Sequence, residues 1–405
     1  MAVTEQNNKD LSGMNTFRMS VNCRKFIEYD SISDLMDLDI EDLPQPVKHI
    51  GGGSNLLFTG DFKGTILHSK IDFIEPLDDS DDSDDSEEDF EEDFEDDSDK
   101  ELSKESSDSE LISVGSGVIF DDLCEWAATN GLWGIENLSD IPGEVGAAAV
   151  QNIGAYGVEF KDVVEAVYCW DLQECEFRIF PASECSYGYR QSIFKSPDYR
   201  NLIVTHVVIR LSRTASPQLS YGQLNSEVSS MPGYNPESPD PMSVRKAIIK
   251  IRSVKLPDPK AVGSAGSFFK NPVVTPAVFD KVKALIDHQE DIAKANRGVP
   301  HYIIPLVEQD GEMVEVSGHA SDEAIEAALS SGQYMVKIPA AWLIEQCGWK
   351  GRRSGNAAVW DKQPLVLVNA TGRAEPEEII ALENRVISSV KSNFGIILEP
   401  EVEHL

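Results

Sequence analysis

The residues in this sequence best suited to chemistry fall in five stretches. Gly51, Gly52, Gly53, Ser54 and Asn55 directly follow the β-type run V-K-H-I. Glycines at a strand end let the backbone approach a ligand closely, and successive N–H groups in a tight turn form a nest suited to a pyrophosphate. The spacing is not G-x-G-x-x-G, which disfavours a Rossmann loop. A plain tight turn is the competing reading. The second stretch, I-E-N-L-S-D-I-P-G-E-V-G-A-A-A-V-Q-N-I-G-A-Y-G at 135–157, contains Ile141, Pro142, Gly143, Gly146, Gln151, Asn152, Gly154, Ala155 and Gly157. Side chains this small leave backbone lining the surface, and a flat ring system is its natural guest. A tightly packed loop without a ligand is the alternative.

In the third stretch, Y-G-Y-R-Q-S-I-F-K at 187–195, aromatics frame Arg190 and Lys195, a pair suited to an anionic group. A guanidinium presents a bidentate fork to a carboxylate or phosphate, although an ordinary surface strand would read the same. The fourth, K-L-P-D-P-K followed by G-S-A-G-S-F-F-K-N-P, contains Lys255, Ser267 and Asn271. A serine in such a loop can be a nucleophile or a proton donor. With no G-x-S-x-G elbow and no histidine nearby in sequence, a serine hydrolase is disfavoured. The fifth, L-E-P-E-V, carries Glu399 and Glu401, which on residue type alone are solvated. The six cysteines form no C-x-x-C pair, so reduced and mostly buried thiols are expected and no metal site is.

The elements that must position these residues alternate between β-rich and helical runs. Strands are expected at 47–50, 65–68, 111–114, 163–171, 176–180, 202–211 and 364–369. Helices are expected at 120–130 with Gly131 as cap, at 242–253, at 277–289, at 321–330 with Ser321 as N-cap, and at 376–394. Residues 261–272 read as too polar for a core strand. The 405 residues are long enough for several domains, at roughly 100–200 residues each. Lys and Arg number 35 against 70 Asp and Glu, a net charge of −35, which argues against a nucleic-acid partner or an anionic membrane surface. Residues 78–110 hold 20 acids and 2 bases, −18 of that total, and read as a disordered insertion. No run of about 18 apolar residues and no signal-like N-terminal pattern occurs, so a cytoplasmic protein without membrane insertion is expected.

Taken together and in this order, the stretches resemble the UDP-N-acetylenolpyruvoylglucosamine reductase (UDP-N-acetylmuramate dehydrogenase, MurB) family. The resemblance runs from Asn15 to Glu401, apart from the acidic insertion and an expanded segment around 306–334. It implies an α+β chain with an FAD-binding fold of the vanillyl-alcohol-oxidase type, made of two subdomains, plus an α+β substrate-binding domain. The implied boundaries are 14–70 for the first subdomain, 71–110 for the insertion, 111–255 for the second subdomain completed by 395–405, and 256–394 for the substrate domain. The implied cofactors are FAD and NADPH. NADPH reduces the flavin and leaves, and UDP-N-acetylglucosamine enolpyruvate takes its place. Hydride then passes to the enolpyruvyl methylene carbon, and a protein acid protonates the adjacent carbon. Residues 51–55 and 141–157 match the flavin-binding segments. Ser267 matches the general acid, and Arg190 and Glu401 match the pair that polarises the substrate carboxylate. Tyr221, Lys255 and Asn271 match the groups that hold the substrate diphosphate, and Gln363 matches a further substrate contact. The tyrosine-bearing loop at Tyr221 is the mark of the longer, type I form; separately, a monomer is expected. Ala148 stands where such proteins carry a serine and Trp360 where they carry a histidine. Two other readings compete: a flavin oxidase or dehydrogenase with a different substrate, and a binding protein without turnover.

Overall fold

The computed structural model describes residues 3–77, 108–287, 298–309, 312–315 and 320–405. The acidic stretch at 78–107 lies outside them. Its flanks are strands, so the insertion is narrower than the expected 71–110: Ile74–Pro76 pairs with Ser109–Gly115 through Ile74 opposite Val114 and Pro76 opposite Ile112.

Four sheets make up the framework. The first runs in the order Thr4–Asp10, Asn22–Tyr29, Phe62–Ser69, Val47–Ile50, with the last three strands parallel. The first subdomain therefore starts before residue 14, because Thr4–Asp10 is its edge. The second sheet is antiparallel, in the order Glu176–Pro181, Val164–Asp171, Leu202–Ser212, Ser109–Gly115, Ile74–Pro76. β-Branched residues dominate its central strand, L-I-V-T-H-V-V-I-R-L-S, where Ile203, Val204, Val207, Val208, Ile209 and Leu211 are buried. The remaining two sheets belong to the third domain. One contains Gly263–Ser267 and Val366–Asn369, and the other contains Val273–Val274 and Tyr334–Lys337.

Residues 263–267, expected to be too polar for a core strand, do form one, and Gly263, Ser264 and Ala265 are buried. Steric crowding explains the composition: a methyl on Gly263 would lie 2.3 Å from the Phe17 carbonyl oxygen. Small residues let this strand press against the first subdomain, so its polarity reflects close backbone approach and not exposure.

The helices follow their apolar spacing. Phe120–Thr129 buries Phe120, Leu123, Cys124 and Ala127, and Gly131 takes φ +73 just beyond the Asn130 cap. Pro376–Phe394 buries Ile379, Leu382, Val386 and Val390; a Glu375/Glu378 capping box starts it and Gly395 at φ 72 ends it. Ser321 accepts from Ala324 N, as an N-cap should. Residues 145–151 were not expected to be helical, yet Val145–Gln151 is a helix, consistent with the high helix propensity of its three alanines.

One large apolar cluster joins Phe17, Phe26 and Ile66 of the first subdomain to Phe268, Ile344 and Val386 of the third domain. A second fills the second subdomain. The C-terminal tail lies against the first subdomain, not the second as expected: Glu403–His404 pairs with Leu56–Leu57, and Thr59 N donates to the Leu405 carbonyl. All six cysteines are free, four of them buried. Among the described residues no helix is long and apolar enough to cross a membrane, and no cluster of three or more metal-ligating side chains occurs.

Candidate active site

The two glycine-rich segments come from different subdomains and meet face to face. A methyl on Gly51 would lie 3.2 Å from Ala147 Cβ, and one on Gly143 would lie 3.0 Å from Ser54 Oγ. Ser54 Oγ donates to the Pro142 carbonyl at 3.0 Å. Asn55 Nδ2 donates to the Glu401 carbonyl at 3.1 Å, which ties the same loop to the C-terminal tail. Gly53 needs its positive φ of 64, and a methyl there would lie 1.9 Å from the Met14 carbonyl oxygen. Gly52 has only a Glu144 oxygen within 4 Å of that position, and Pro142 and Gly157 are exposed.

The sequence segment beyond Gly146 has mixed roles. Gln151 Oε1 accepts from Lys195 Nζ at 2.7 Å. Asn152 is fully buried in a left-handed conformation, and its amide is bound to Glu159, the Gly188 carbonyl and Lys161 N. Its side chain therefore holds the loop and is not available to a ligand. Ala148 packs into the second subdomain's core, whereas Ala147 faces the glycine loop, so the serine-to-alanine difference falls on a buried position. Ala155 is half-buried in a two-stranded ribbon with Val158, and Ile141 is half-buried at the rim of the same core.

Arg190 ties three segments together. Its Nε donates to Glu401 Oε1 at 2.7 Å, Nη1 donates to the Asn152 carbonyl at 3.3 Å, and Nη2 donates to the Gly154 carbonyl. The backbone there has φ 55, which costs a non-glycine residue on the order of 1 kcal/mol and persists because these bonds hold it. Burial opposes the guanidinium charge, but the Glu401 carboxylate, then Tyr189 and Glu159, outweigh it and raise Arg190 above its ordinary value. A methyl on Gly154 would lie 2.9 Å from Arg190 Nη1, so that glycine makes room for the fork.

Ser267 joins this group through the backbone. Glu401 N donates to the carbonyl of Phe268, the next residue, at 2.8 Å, and Phe269 bridges to Pro400. Ser267 itself is exposed and lies opposite Val366 in the sheet. Gln363 closes the turn that leads into Val366, whose N donates to the Gln363 carbonyl at 3.0 Å. Asn271 N donates to Tyr189 Oη at 3.3 Å, and its Oδ1 accepts from Ala340 N at 2.9 Å. Lys255 ends the Pro241–Lys255 helix, and its carbonyl accepts from Trp360 Nε1 at 3.1 Å. Tyr221 packs edge-on against Tyr156 and stacks on Tyr302 with centroids 6.3 Å apart.

Lys195 was legible in the aromatic stretch, whereas Tyr302 and Lys337 gave no sequence signal. Tyr302 starts the Tyr302–Gln309 strand, just before the expanded segment. Lys195 donates to the Arg190 carbonyl as well as to Gln151, and burial followed by the charge of Lys270 lowers it. The Lys337 ammonium lies 4.2 Å from the Tyr189 ring centroid. His68 and Glu144, buried beneath the glycine loops, could be found only from the fold.

The residues present fit FAD. Small residues let the two loops approach and leave backbone open between them: Gly51 faces Ala147 and Glu144, Gly143 faces Ser54, and Gly52 has only a Glu144 oxygen within 4 Å of a methyl position. Such a junction of two subdomains, where Arg190 of the second meets Glu401 of the C-terminal tail and a third α+β domain packs against the first, is that of an FAD-dependent oxidoreductase. The model for the C-terminal domain of UDP-N-acetylenolpyruvoylglucosamine reductase matches residues 258–405, and an FAD binding domain model matches 98–174. The chain is 39% identical to the UDP-N-acetylenolpyruvoylglucosamine reductase of Bacteroides fragilis, with 96% of this chain and 97% of that one covered. It is 38% identical to the Porphyromonas gingivalis enzyme of the same name, with 98% and 97% covered. The crystal structure of the Thermus caldophilus reductase shares the fold at a TM-score of 0.56 and 20% identity, with 100% of this chain and 99% of that one covered. The chain belongs to the UDP-N-acetylenolpyruvoylglucosamine reductase family.

Proposed function

We propose that the Arg190, Glu401 and Ser267 cluster is where this FAD-containing, NADPH-dependent reductase converts UDP-N-acetylglucosamine enolpyruvate to UDP-N-acetylmuramate for peptidoglycan synthesis. The observation that carries the reading is the 2.7 Å Arg190–Glu401 pair, with the Glu401 backbone held by the Asn55 side-chain amide and by its own N–H on the carbonyl of the residue after Ser267. When bound, FAD supplies the hydride that the enolpyruvyl double bond requires.

The protein supplies charge, orientation and a proton. Arg190 holds a permanent positive charge where the enolpyruvyl carboxylate gains electron density, and a fixed charge is most effective where charge grows in the transition state. Glu401 aligns the guanidinium and keeps it from turning toward solvent. Ser267 presents its hydroxyl from an exposed strand end as the acid for the adjacent carbon. Asn271 anchors its oxygen on Ala340 N, which leaves the NH₂ group as a donor toward substrate. Lys255 and Tyr221 are exposed enough to meet a diphosphate, and Gln363 lies on the turn beside Ser267. The Tyr221 loop supports the type I reading. We propose a monomer located in the cytoplasm, a location that six free thiols suit.

The test is an anaerobic visible spectrum with NADPH added first and the enolpyruvyl sugar second. Bleaching followed by recolouring is expected. Bleaching without recolouring favours a different acceptor, and a colourless protein that takes up no FAD favours a binding protein without turnover.

A further inference from the structure

We propose that His68 and Glu144 are a positioning pair for the flavin-binding loop, in which the imidazolium cancels the Glu144 charge beside the pyrophosphate cradle. The inference rests on the flavin reading above.

His68 Nδ1 lies 3.0 Å from Glu28 Oε1, and its Nε2 lies 3.0 Å from Glu144 Oε1. Ionised carboxylates only accept, so a ring that satisfies both must carry a hydrogen on each nitrogen, which is the imidazolium. His68 is 2% exposed and Glu144 is 4% exposed. A buried charge without a partner is costly, so each depends on the other.

The placement points to the flavin. His68 pairs with Glu28 on one side and Ile50 on the other, which puts all three at the carboxyl ends of parallel strands. That is the edge where open α/β sheets bind ligands. Ile50 is the residue before the glycine loop. Glu144 comes from the other subdomain and is the cap residue of Val145–Gln151, yet its side chain makes no capping bond. It turns toward the glycine loop, where Oε2 lies 3.1 Å from the position of a methyl on Gly51 and Oε1 lies 3.6 Å from one on Gly52. A carboxylate against a pyrophosphate loop would repel its ligand unless it were neutralised. The neighbouring His49 cannot substitute: it is bound to Tyr29 Oη at 2.9 Å, and burial, with the charge of His68, lowers it to about 3.

The experiment titrates FAD into flavin-stripped wild type, His68→Asn, Glu144→Gln and the double variant. Flavin fluorescence gives Kd, and thermal melts report folding. His68→Asn should weaken FAD at least ten-fold, because it leaves Glu144 charged beside the loop. Glu144→Gln should cost less than three-fold. The double variant should bind within three-fold of Glu144→Gln, so that the second change rescues the first. A smaller loss in His68→Asn, or a double variant outside that limit, overturns the proposal, since a merely structural pair gives no rescue. If His68→Asn does not fold, the double variant against Glu144→Gln decides by the same limit. Failure of the stripped wild type to take up FAD would instead refute the flavin reading itself.

Discussion

Arg190→Lys keeps the charge, the β-carbon and the left-handed backbone, and removes only the planar fork. The guanidinium makes three bonds from three nitrogens, to Glu401, Asn152 and Gly154. An ammonium on a flexible stem can hold one of these directions, so two are lost. Hydrogen bonds to charged groups contribute about 1.5–3 kcal/mol each, so the loss is about 3–6 kcal/mol. The site is largely shielded, with both side chains 16% exposed, so solvent recovers little of this. At about 1.4 kcal/mol per tenfold, the step that reduces the enolpyruvyl sugar should slow roughly 10²- to 10⁴-fold. Stopped-flow spectroscopy separates that step from reduction of the flavin by NADPH, which should stay within a few-fold. The reasoning fails if Arg190→Lys reduces the sugar within ten-fold of wild type, or if both half-reactions slow equally.

The other predictions concern the acid, a buried carboxyl and the insertion. Ser267→Ala should leave flavin reduction by NADPH nearly unchanged and greatly slow reoxidation by the enolpyruvyl sugar; equal impairment of both would remove the acid role. Burial raises Glu383 to about 7 from 4.5. A raised carboxyl favours the fold most below its unfolded value, and that contribution is lost as pH rises through about 7. Glu383→Gln should therefore stabilise the protein at pH 8, by at most ~3 kcal/mol, and make little difference near pH 4; melts at the two pH values that showed no such divergence would contradict this. Leu77 N donates to the Leu111 carbonyl at 2.9 Å, so the ends of the acidic stretch are already side by side. Replacing 78–107 with a short turn should keep FAD content and turnover within a few-fold. A deletion reaching Glu110 should do worse, since Glu110 pairs with Leu211 in the sheet and with Arg213 in a salt bridge. Equal activity of the two deletions would argue against this boundary.

Sequence by itself determined the local elements whose signal is periodic or chemical. The Pro376–Phe394 helix was legible to the residue because proline, apolar spacing and glycine mark its start, face and end. Family resemblance is what proposes Ser267, Arg190 and Glu401 as reacting groups, because they stand in ordered blocks of recognisable residues. Tertiary structure decided what depends on contacts between distant segments. Residues 263–267 looked too polar for a strand because the Phe17 carbonyl that demands their small size lies far away in the chain. Asn152 looked like a cofactor contact, but its amide is committed to Glu159, Gly188 and Lys161. The tail was expected on the second subdomain, yet strand pairing with Leu56–Leu57 draws it to the first. His68, Glu28 and Glu144 are separated by 40 and 76 positions in sequence, and no local pattern links them. Only the parallel register of the first sheet and the closure of the second subdomain bring the three side chains together.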